Sequence, residues 1–326
     1  MSFKRLDPED FLVSSDTVTS TVWSDNTVTL QTFFTSSATT TNDEYYKNVY
    51  KTAATSSVQF ALAYGDKEGS GSAQFNDLVA GKTPTRTVYG QFRNLIYGDE
   101  NTDFNFGGTD SETFWAISIE RARYKEKLLP ASLNLVISGS SNLHLTDNSK
   151  LVSVDTFLDC GRVYQLISGS DGTSHDGGTG YSTTQGSYGL FLPDIATIVL
   201  NPLAVSSSIG VEVSRSYDAA GDNISTIFTA INGGASFKVN SEETLSSDYV
   251  FVRARNSEFN YSENPSYISG STGDVLYSSL INSPQSFMTT VGLYNDTNEL
   301  LAVAKLSKPL VKDFTKETLL RVKLDF

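Results

Sequence analysis

The chain has 326 residues, of which 39% are hydrophobic and 11% aromatic, so it can bury a sizeable core and is not a disordered polymer. Its formal net charge of −13 excludes the basic surface with which nucleic-acid-binding proteins neutralise phosphates. No stretch approaches the roughly 20 apolar residues of a membrane-spanning helix, and no apolar signal-peptide region follows the first basic residues. These features predict a protein that is made in the cytoplasm, binds no nucleic acid and does not insert into a membrane.

Reactive side chains are scarce in this sequence. The single cysteine, Cys160, cannot form an internal disulfide, and only His144 and His175 are available for histidine chemistry. By contrast, the chain contains 16 Tyr, 19 Phe and 24 Gly, a balance that favours strands and turns. The composition therefore predicts a mainly β (α+β) protein that uses no cofactor.

The N-terminal third combines strand patterns with two helix patterns. Thr- and Val-rich stretches on either side of Ser24-Asp25-Asn26 predict a hairpin. Asn42-Asp43-Glu44 resembles a helix start, and a short helix is predicted in YYKNVYKTAA, which follows it. The second helix pattern is clearer, because Thr83 is a capping residue, Pro84 occupies the favoured first position and Gly98 follows the last apolar residues. Two short helices are therefore expected in this third.

Apolar strand patterns bounded by Gly, Ser, Asn or Pro occupy most of the remaining chain. They are SVQFALAY, FWAISI, SLNLVISGSSNLHL, VSVDTFLDCGRVYQLISGS, YGLFLPDIATIVLNPLAV, TIFTAI, ASFKVN, YVFVRARN, SFMTTVGLY, ELLAVAKL and TLLRVKLDF. A glycine-rich turn, GDKEGSGS, is predicted directly after the first of these, and the turn Asn295-Asp296-Thr297-Asn298 is predicted after SFMTTVGLY. Short strands at this spacing, without a fixed repeat, predict antiparallel β-sandwich or barrel-like domains. The predicted regions are an N-terminal α+β region over 1–125, a central β region with a Gly-rich loop over 126–207 and a C-terminal β domain over 208–326.

A long polar segment over 170–189 contains Gly, Ser and Thr without an apolar period, which predicts a functional or mobile loop. His175 lies in it between Asp171 and Asp176, but no nucleophile elbow accompanies these residues, so a catalytic triad is not predicted. The segment also lacks the ordered ligands of a calcium-binding loop. We expect His175 to lie in a solvated glycine loop and His144 to lie on the surface of a strand.

The 37 Asp and Glu residues could supply the carboxylate pair that glycoside hydrolysis needs, but nothing in the sequence selects a pair. We therefore predict a protein that is not an enzyme, with no catalytic, cofactor-binding or metal-binding residue. A polysaccharide-active protein is the alternative from another functional class.

Three stretches resemble tail and baseplate proteins of T4-like, contractile-tailed bacteriophages of the cyanophage type. They run from Phe60 to Tyr97, from Phe114 to Gly139 and from Met288 to Phe326. The third stretch is the most informative. A strand that ends in Gly292-Leu293-Tyr294, the strand LLAVA, the loop at Lys308-Pro309 and a closing amphipathic strand follow one another there, as in phage tail attachment domains.

The resemblance implies a structural protein of the virion, made in the host cytoplasm. The implied role is a baseplate (wedge) or tail component that mediates subunit assembly and fibre attachment. A neck protein or head–tail connector and a fibre adaptor are alternatives within this class, whereas a polysaccharide-binding or -degrading tail component and a host-surface binding module are alternatives from other classes. The implied partners are other tail or baseplate proteins and further copies of the chain, which would form a homo-oligomer.

Seven residues are predicted for an assembly interface. They are Arg121, Arg123, Lys125, Lys127, Tyr294, Lys308 and Pro309. The first four form a basic cluster on an acidic protein and could meet an acidic neighbour. The other three lie in the stretch that resembles tail attachment domains. The competing interpretation of the basic cluster is a solvated strand end.

Overall fold

The computed structural model describes residues 4–35, 45–53, 56–70, 83–215 and 220–325. The structure is 44% strand and 16% helix, so the predicted mainly β fold is confirmed. None of the described helices is long and apolar enough to cross a membrane.

The chain divides into two compact units. The smaller unit comprises Met1–Asp16 and Thr244–Phe326, and the larger unit comprises Thr17–Glu243. The predicted region boundaries after residues 125 and 207 both lie within the larger unit. The division into three regions stays a prediction.

The described residues form 21 strands and four α-helices. The strands are β1 (Phe11–Thr21), β2 (Thr29–Leu30), β3 (Phe34–Thr35), β4 (Tyr46–Tyr50), β5 (Val58–Asp66), β6 (Phe104–Phe106), β7 (Thr109–Ser111), β8 (Thr113–Ile119), β9 (Lys127–Leu128), β10 (Asn134–Ser138), β11 (Asn142–Asp147), β12 (Thr156–Leu158), β13 (Gly161–Ser170), β14 (Thr173–Ser174), β15 (Gly189–Leu192), β16 (Thr197–Leu200), β17 (Phe237–Lys238), β18 (Asn240–Ala254), β19 (Gln285–Tyr294), β20 (Leu300–Asp313) and β21 (Thr318–Asp325). The helices are α1 (Pro84–Tyr97), α2 (Pro202–Ile209), α3 (Ala220–Gly234) and α4 (Ser279–Asn282).

The large sheet of the larger unit curls back on itself. Its main path runs β2-β17-β10-β11-β13-β15-β16-β8-β5-β4-β3, and β12 and β14 also pair with β13. Eleven strands at about 4.8 Å spacing would extend roughly 48 Å if the sheet were flat. The two end strands are nevertheless joined by residues 31–33 alone, which reach at most about 14 Å. The short connection therefore requires a barrel-like curvature, in keeping with the predicted architecture.

Both faces of this sheet are buried, each in its own apolar core. Along β8, Trp115 and Ile117 belong to one core, whereas Phe114 and Ala116 belong to the other, as the two-residue period of a strand requires. Helix α3 packs in the first core and contacts β10, near one end of the strand order, as well as the neighbouring strands β5 and β4, near the other end. Helix α1 packs in the second core against β5.

Helix α1 begins and ends as predicted. Thr83 occupies the N-cap position, Pro84 is the first helical residue, and Gly98 ends the helix with φ +64°. A left-handed residue at this position suits glycine, because glycine has no Cβ to clash with the helix. The inner face contributes Tyr89 and Ile96 to the second core.

The predicted helix in YYKNVYKTAA is wrong, because Tyr46–Tyr50 form β4. The capping residues proposed for it lie outside the described residues. Tyrosine and valine favour strands, and Val49 is fully buried opposite Phe60 of β5. Pairing within the large sheet therefore outweighs the weak local helix signal.

One predicted strand, TIFTAI, and the end of another, NPLAV in YGLFLPDIATIVLNPLAV, are helical instead. TIFTAI lies in α3, where Ile224, Ile227 and Ile231 recur at helical spacing and are all buried. NPLAV forms the start of α2, since the Asn201 side chain accepts a hydrogen bond from the Leu203 N–H at 3.1 Å. Short apolar runs of this length do not distinguish a buried strand from a buried helix.

The predicted hairpin around Ser24-Asp25-Asn26 is also wrong. Strand β1 joins the sheet of β18 and β21, whereas β2 pairs with β17 in the large sheet. Between them, the buried Trp23 packs against Phe60 and Phe237. The segment between β1 and β2 therefore places an indole in the core instead of forming a hairpin turn.

The chain turns after β5 around a fully buried carboxylate. Asp66 Oδ1 accepts hydrogen bonds from the backbone N–H groups of Glu68 at 2.8 Å, Gly69 at 2.9 Å and Ser70 at 3.1 Å. Its Oδ2 accepts a further bond from Arg215 Nε at 2.8 Å. The described residues of the predicted glycine-rich segment therefore form a turn. The buried negative charge of Asp66 is paired with Arg215.

The core that contains α3 can be tested by truncating one buried side chain. We expect Ile227→Ala to lower the free energy of unfolding by about 2 to 5 kcal/mol, because it leaves a cavity between α3 and the sheet. Leu203→Ala, at an exposed position of α2, should change it by less than about 0.5 kcal/mol. Denaturant unfolding can be followed by fluorescence, since both tryptophans, Trp23 and Trp115, lie in this core. Equal losses in the two variants would contradict the described packing.

A polar network joins β13, β18 and the turn after β15. Arg162 Nη2 donates to Asp194 Oδ1 at 2.8 Å and to Glu242 Oε1 at 3.1 Å. The Arg162 backbone N–H also donates to Asp194 Oδ2 at 2.7 Å. Burial opposes ionisation of Asp194, but the hydrogen bonds and the charge of Arg162 outweigh it and lower the pKa of this carboxyl group.

The Asp194 carboxylate should contribute acid-sensitive stability. The pKa of Asp194 in the folded protein lies below the unfolded value of about 3.9. The stabilisation by this carboxylate is therefore complete above about pH 3.9, and it is lost as the pH falls through the folded pKa. The stability difference between wild type and Asp194→Asn should therefore be largest near about pH 6 and shrink below about pH 4. Urea unfolding across this range measures it, with the exposed Asp159→Asn as the control. A difference that is constant from about pH 6 to pH 3 would contradict this pKa shift.

Candidate functional site

The smaller unit has almost no apolar core of its own. Among the described residues, 49 apolar residues are buried, and only Val250, Ala254 and Val322 of these lie in the smaller unit. The same unit carries 17 of the 27 large apolar side chains that are exposed. Exposed apolar surface on this scale is typical of a surface that another molecule covers.

Much of this exposed apolar surface lines an open groove of about 2140 Å³. Its walls come from the N-terminal segment, β18, β21, the connection after β18 and the hairpin of β19 and β20. Seven of its large apolar side chains are exposed, namely Phe11, Tyr261, Phe287, Tyr294, Leu300, Leu301 and Val303. An aromatic side chain has a surface of about 150 to 250 Å², and Leu and Val have somewhat less. The exposed fractions of these seven side chains therefore add up to an area on the order of 700 Å². A standard interface buries about 800 Å² on each partner.

The hairpin that forms one wall turns where the sequence predicts it. Asn295 Oδ1 accepts hydrogen bonds from the N–H groups of Thr297 at 3.1 Å and Glu299 at 2.7 Å. Asn298 adopts φ +62°, a conformation that asparagine tolerates better than most residues. The turn Asn295-Asp296-Thr297-Asn298 is therefore confirmed.

Lys308 and Pro309, predicted in a loop between strands, lie inside β20. The pairing of β19 with β20 shifts between Met288 and Thr290, so that residues 306–309 oppose Thr289 alone. Proline has no N–H to donate to the neighbouring strand, which explains a bulge at this point. Both residues are exposed, and the prediction that they belong to an interface stays a prediction.

Polar contacts fasten the hairpin within the smaller unit. Lys312 is fully buried, and its ammonium group donates to the Asn256 carbonyl at 3.1 Å, to Asn260 Oδ1 at 2.8 Å and to the Asp313 carbonyl at 2.9 Å. Three acceptors match the three donors of an ammonium group. Ser286, on β19, donates to the Phe259 carbonyl of the same connection.

The basic cluster lies in the larger unit and is partly engaged within the chain. The Arg121 guanidinium lies 4.7 Å from the centre of the Tyr124 ring and donates to the Tyr124 carbonyl at 2.9 Å. Lys127 Nζ lies 3.8 Å from Glu242 Oε1. The structure thus places Arg121, Arg123, Lys125 and Lys127 together, on a different unit from Tyr294, Lys308 and Pro309.

The groove includes only Tyr294 of the seven predicted interface residues. Sequence analysis missed Phe287, Leu301 and Val303, because alternating apolar residues in a strand usually indicate a buried face. A detectable signal was the density of apolar strands at the C-terminal end without a helix pattern to cover them.

The described residues do not bring reactive side chains together in a catalytic centre. They also contain no group of three or more His, Cys, Asp or Glu side chains that could hold a metal ion. Cys160 is a half-buried free thiol, and burial raises its pKa to about 11. The thiol is therefore protonated and weakly nucleophilic at neutral pH.

Comparison of the chain with protein-family models, with curated proteins and with solved structures finds no match. The residues of the groove and their geometry are therefore the basis for assigning a function.

The attachment of the hairpin can be tested at Lys312. Lys312→Ala removes the ammonium group and leaves the buried oxygens of Asn256 and Asn260 without their donor, which costs about 1 to 3 kcal/mol. Amide hydrogen exchange in β20 should become at least about fivefold faster. Lys305→Ala, at an exposed position of the same strand, is the matched control and should leave exchange unchanged. Unchanged exchange in both variants would show that Lys312 does not hold the hairpin.

Proposed function

We propose that the chain is a structural subunit that assembles through the groove of its smaller unit, in the tail or baseplate of a contractile-tailed phage. One observation carries the proposal: among its described residues, the smaller unit buries three apolar residues and exposes 17 large ones. At about 25 cal/mol per Å², covering roughly 700 Å² corresponds to a gross gain on the order of 15 kcal/mol before the costs of association. A partner that fills the groove would supply the core that the unit lacks.

The proposed occupant of the groove is a second copy of the chain. The smaller unit contains ten basic and thirteen acidic residues, a net charge of −3, whereas the larger unit contains fourteen basic and 24 acidic residues, a net charge of −10. Two smaller units can therefore approach each other with little repulsion. The groove and the exposed apolar side chains of its hairpin are on the same unit, which allows a symmetric pair in which each copy covers the other.

The phage setting of the proposal comes from the sequence resemblance. The stretch that resembles tail attachment domains, Met288 to Phe326, contains Tyr294, Leu300, Leu301 and Val303 of the groove. The most informative of the three phage-like stretches thus lies in the unit with the uncovered apolar surface. A baseplate (wedge) or tail component that joins subunits and attaches fibres would use such a surface. A neck protein and a fibre adaptor are alternatives within the same class.

A polysaccharide-binding or -degrading role is the second candidate, and one observation favours it. Asp7, Asp248, Glu263 and Asp296 line the groove together with the exposed Tyr261. Glycosidases combine a pair of carboxyl groups with such a cleft. Most of the large side chains that line the groove are nevertheless aliphatic or phenylalanine, which suits a protein partner better than a glycan.

The assembly proposal predicts that one charge in the groove disrupts self-association. Val303→Asp should raise the dissociation constant of the oligomer at least about 30-fold, because it places an unpaired carboxylate in an apolar interface. Sedimentation velocity of the full chain measures this over a range of concentrations. Val154→Asp, which changes an exposed valine of the larger unit in the same way, is the matched control and should assemble like wild type.

The possible outcomes separate the candidates. An oligomer weakened by Val303→Asp and not by Val154→Asp supports the proposal. A wild-type oligomer that both variants preserve places the interface elsewhere and overturns it. A wild-type monomer at about 100 μM, far above the Kd of stable interfaces of this size, rules out the second copy as the occupant. Depolymerisation of host capsular polysaccharide by that monomer would establish the glycan-active candidate instead.

A further inference from the structure

The only two histidines of the chain lie side by side in the larger unit. His144 is on β11 and His175 directly follows β14, and their ring centroids are 5.7 Å apart. Both side chains are exposed. Strands β11 and β14 both pair with β13, which brings the two histidines together although they are far apart in the sequence.

A tight turn between β13 and β14 creates this juxtaposition. Ser170 pairs with Thr173, and Asp171 and Gly172 between them have φ +48° and +73°. Two successive positive φ values define a type I′ hairpin turn, for which Asp-Gly is a favoured sequence. The chain then runs back along β13, and the His175 N–H donates to the Ser168 carbonyl at 3.0 Å. The position of His175 is thus set by backbone pairing.

The separation of the rings suits two ligands of one metal ion. Zn–N bonds of about 2.0 to 2.1 Å place each ring centroid about 3.2 Å from the ion, so that the two centroids lie roughly 5.2 Å apart at a tetrahedral angle and about 5.7 Å apart at a wider one. The observed separation is 5.7 Å, and the rings are tilted by 56°. The rings are therefore not stacked face to face, and because both side chains are exposed, they can rotate so that one nitrogen of each ring faces a shared ion.

The surroundings of the pair favour a bound cation. His175 Nε2 lies 3.3 Å from the Ser170 hydroxyl oxygen. Histidine ligands commonly donate their second ring N–H to such a neighbour, which leaves Nδ1 to bind the metal. The larger unit carries a net charge of −10, which favours the approach of cations over anions. Asp171 is paired with Lys238 at 2.8 Å, which removes it from consideration as a ligand.

We propose that His144 and His175 form a two-histidine site for a divalent transition-metal cation of the class that prefers imidazole nitrogen, such as Zn²⁺, Ni²⁺ or Cu²⁺. Water completes the coordination of the ion. The site is on the larger unit and does not depend on the proposed assembly function. The site has two protein ligands, and the described residues contain no group of three or more His, Cys, Asp or Glu side chains that could hold a metal ion.

Metal titration of the untagged full chain tests the site. We expect calorimetry with Zn²⁺ to show one ion per chain, with an affinity at least about tenfold weaker in His144→Gln and in His175→Gln, because either change removes the chelate. Cys160→Ser removes the one thiol and should bind like wild type. Electron paramagnetic resonance with Cu²⁺ should show coupling to two imidazole nitrogens in wild type and to one in each single variant.

Three results would overturn the site. The first is the absence of saturable Zn²⁺ binding by wild type up to about 1 mM, a concentration at which even a weak complex is formed. The second is an affinity that both single variants retain. The third is a copper spectrum with one nitrogen in wild type, which would mean that the histidines bind separately. Because both side chains are exposed, the substitutions should leave the unfolding temperature unchanged, which confirms that a loss of binding is local.

Discussion

Because residues 31–33 join β2 to β3, the two ends of the large sheet cannot separate, and this closure places every other element of the larger unit. A closed sheet has a concave and a convex face, and each requires its own apolar cover. Helix α3 supplies cover for one face and α1 for the other. Strands β5, β8 and β16 have buried residues on both faces, whereas many antiparallel sheets have one face in water.

The smaller unit, by contrast, is not built around a large apolar core. Its strands pair well, and β18 and β21 match over eight residue pairs from Ser247 with Asp325 to Ala254 with Thr318. Its described interior contacts are largely polar, with Lys312 between three oxygens and Lys4 paired with Glu258 at 3.1 Å. Backbone pairing and buried hydrogen bonds define a shape, but they contribute little net stability compared with apolar burial. A unit built in this way gains most when a partner covers its apolar groove.

The two proposed sites lie on different units and would bind their ligands through different kinds of interaction. The groove would bind through apolar area, whose energy is spread over many side chains and depends on shape. The histidine pair would bind through two nitrogen atoms, whose energy depends on distances of a few tenths of an ångström. One of them can therefore be lost by mutation while the other remains.

Several local features of the structure were determined by the sequence alone. The mainly β fold follows from the abundance of β-branched and aromatic residues, and α1 follows from Thr83, Pro84 and Gly98, because caps act on the residues next to them. The turn after Tyr294 is equally local, since the Asn295 side chain bonds to the backbone N–H groups of Thr297 and Glu299. Signals of this kind are complete within a few residues.

The tertiary structure decided those features that depend on contacts between residues far apart in the sequence. YYKNVY became a strand because β5 was available to pair with it, and TIFTAI became a helix because the curled sheet provided a core for its isoleucines. The sequence indicated the groove only through apolar strands without a helix pattern to cover them, because an apolar strand residue is buried or exposed according to whether another element covers it. The histidine pair could not be foreseen, since only the pairing of β11 and β14 with β13 brings His144 to His175.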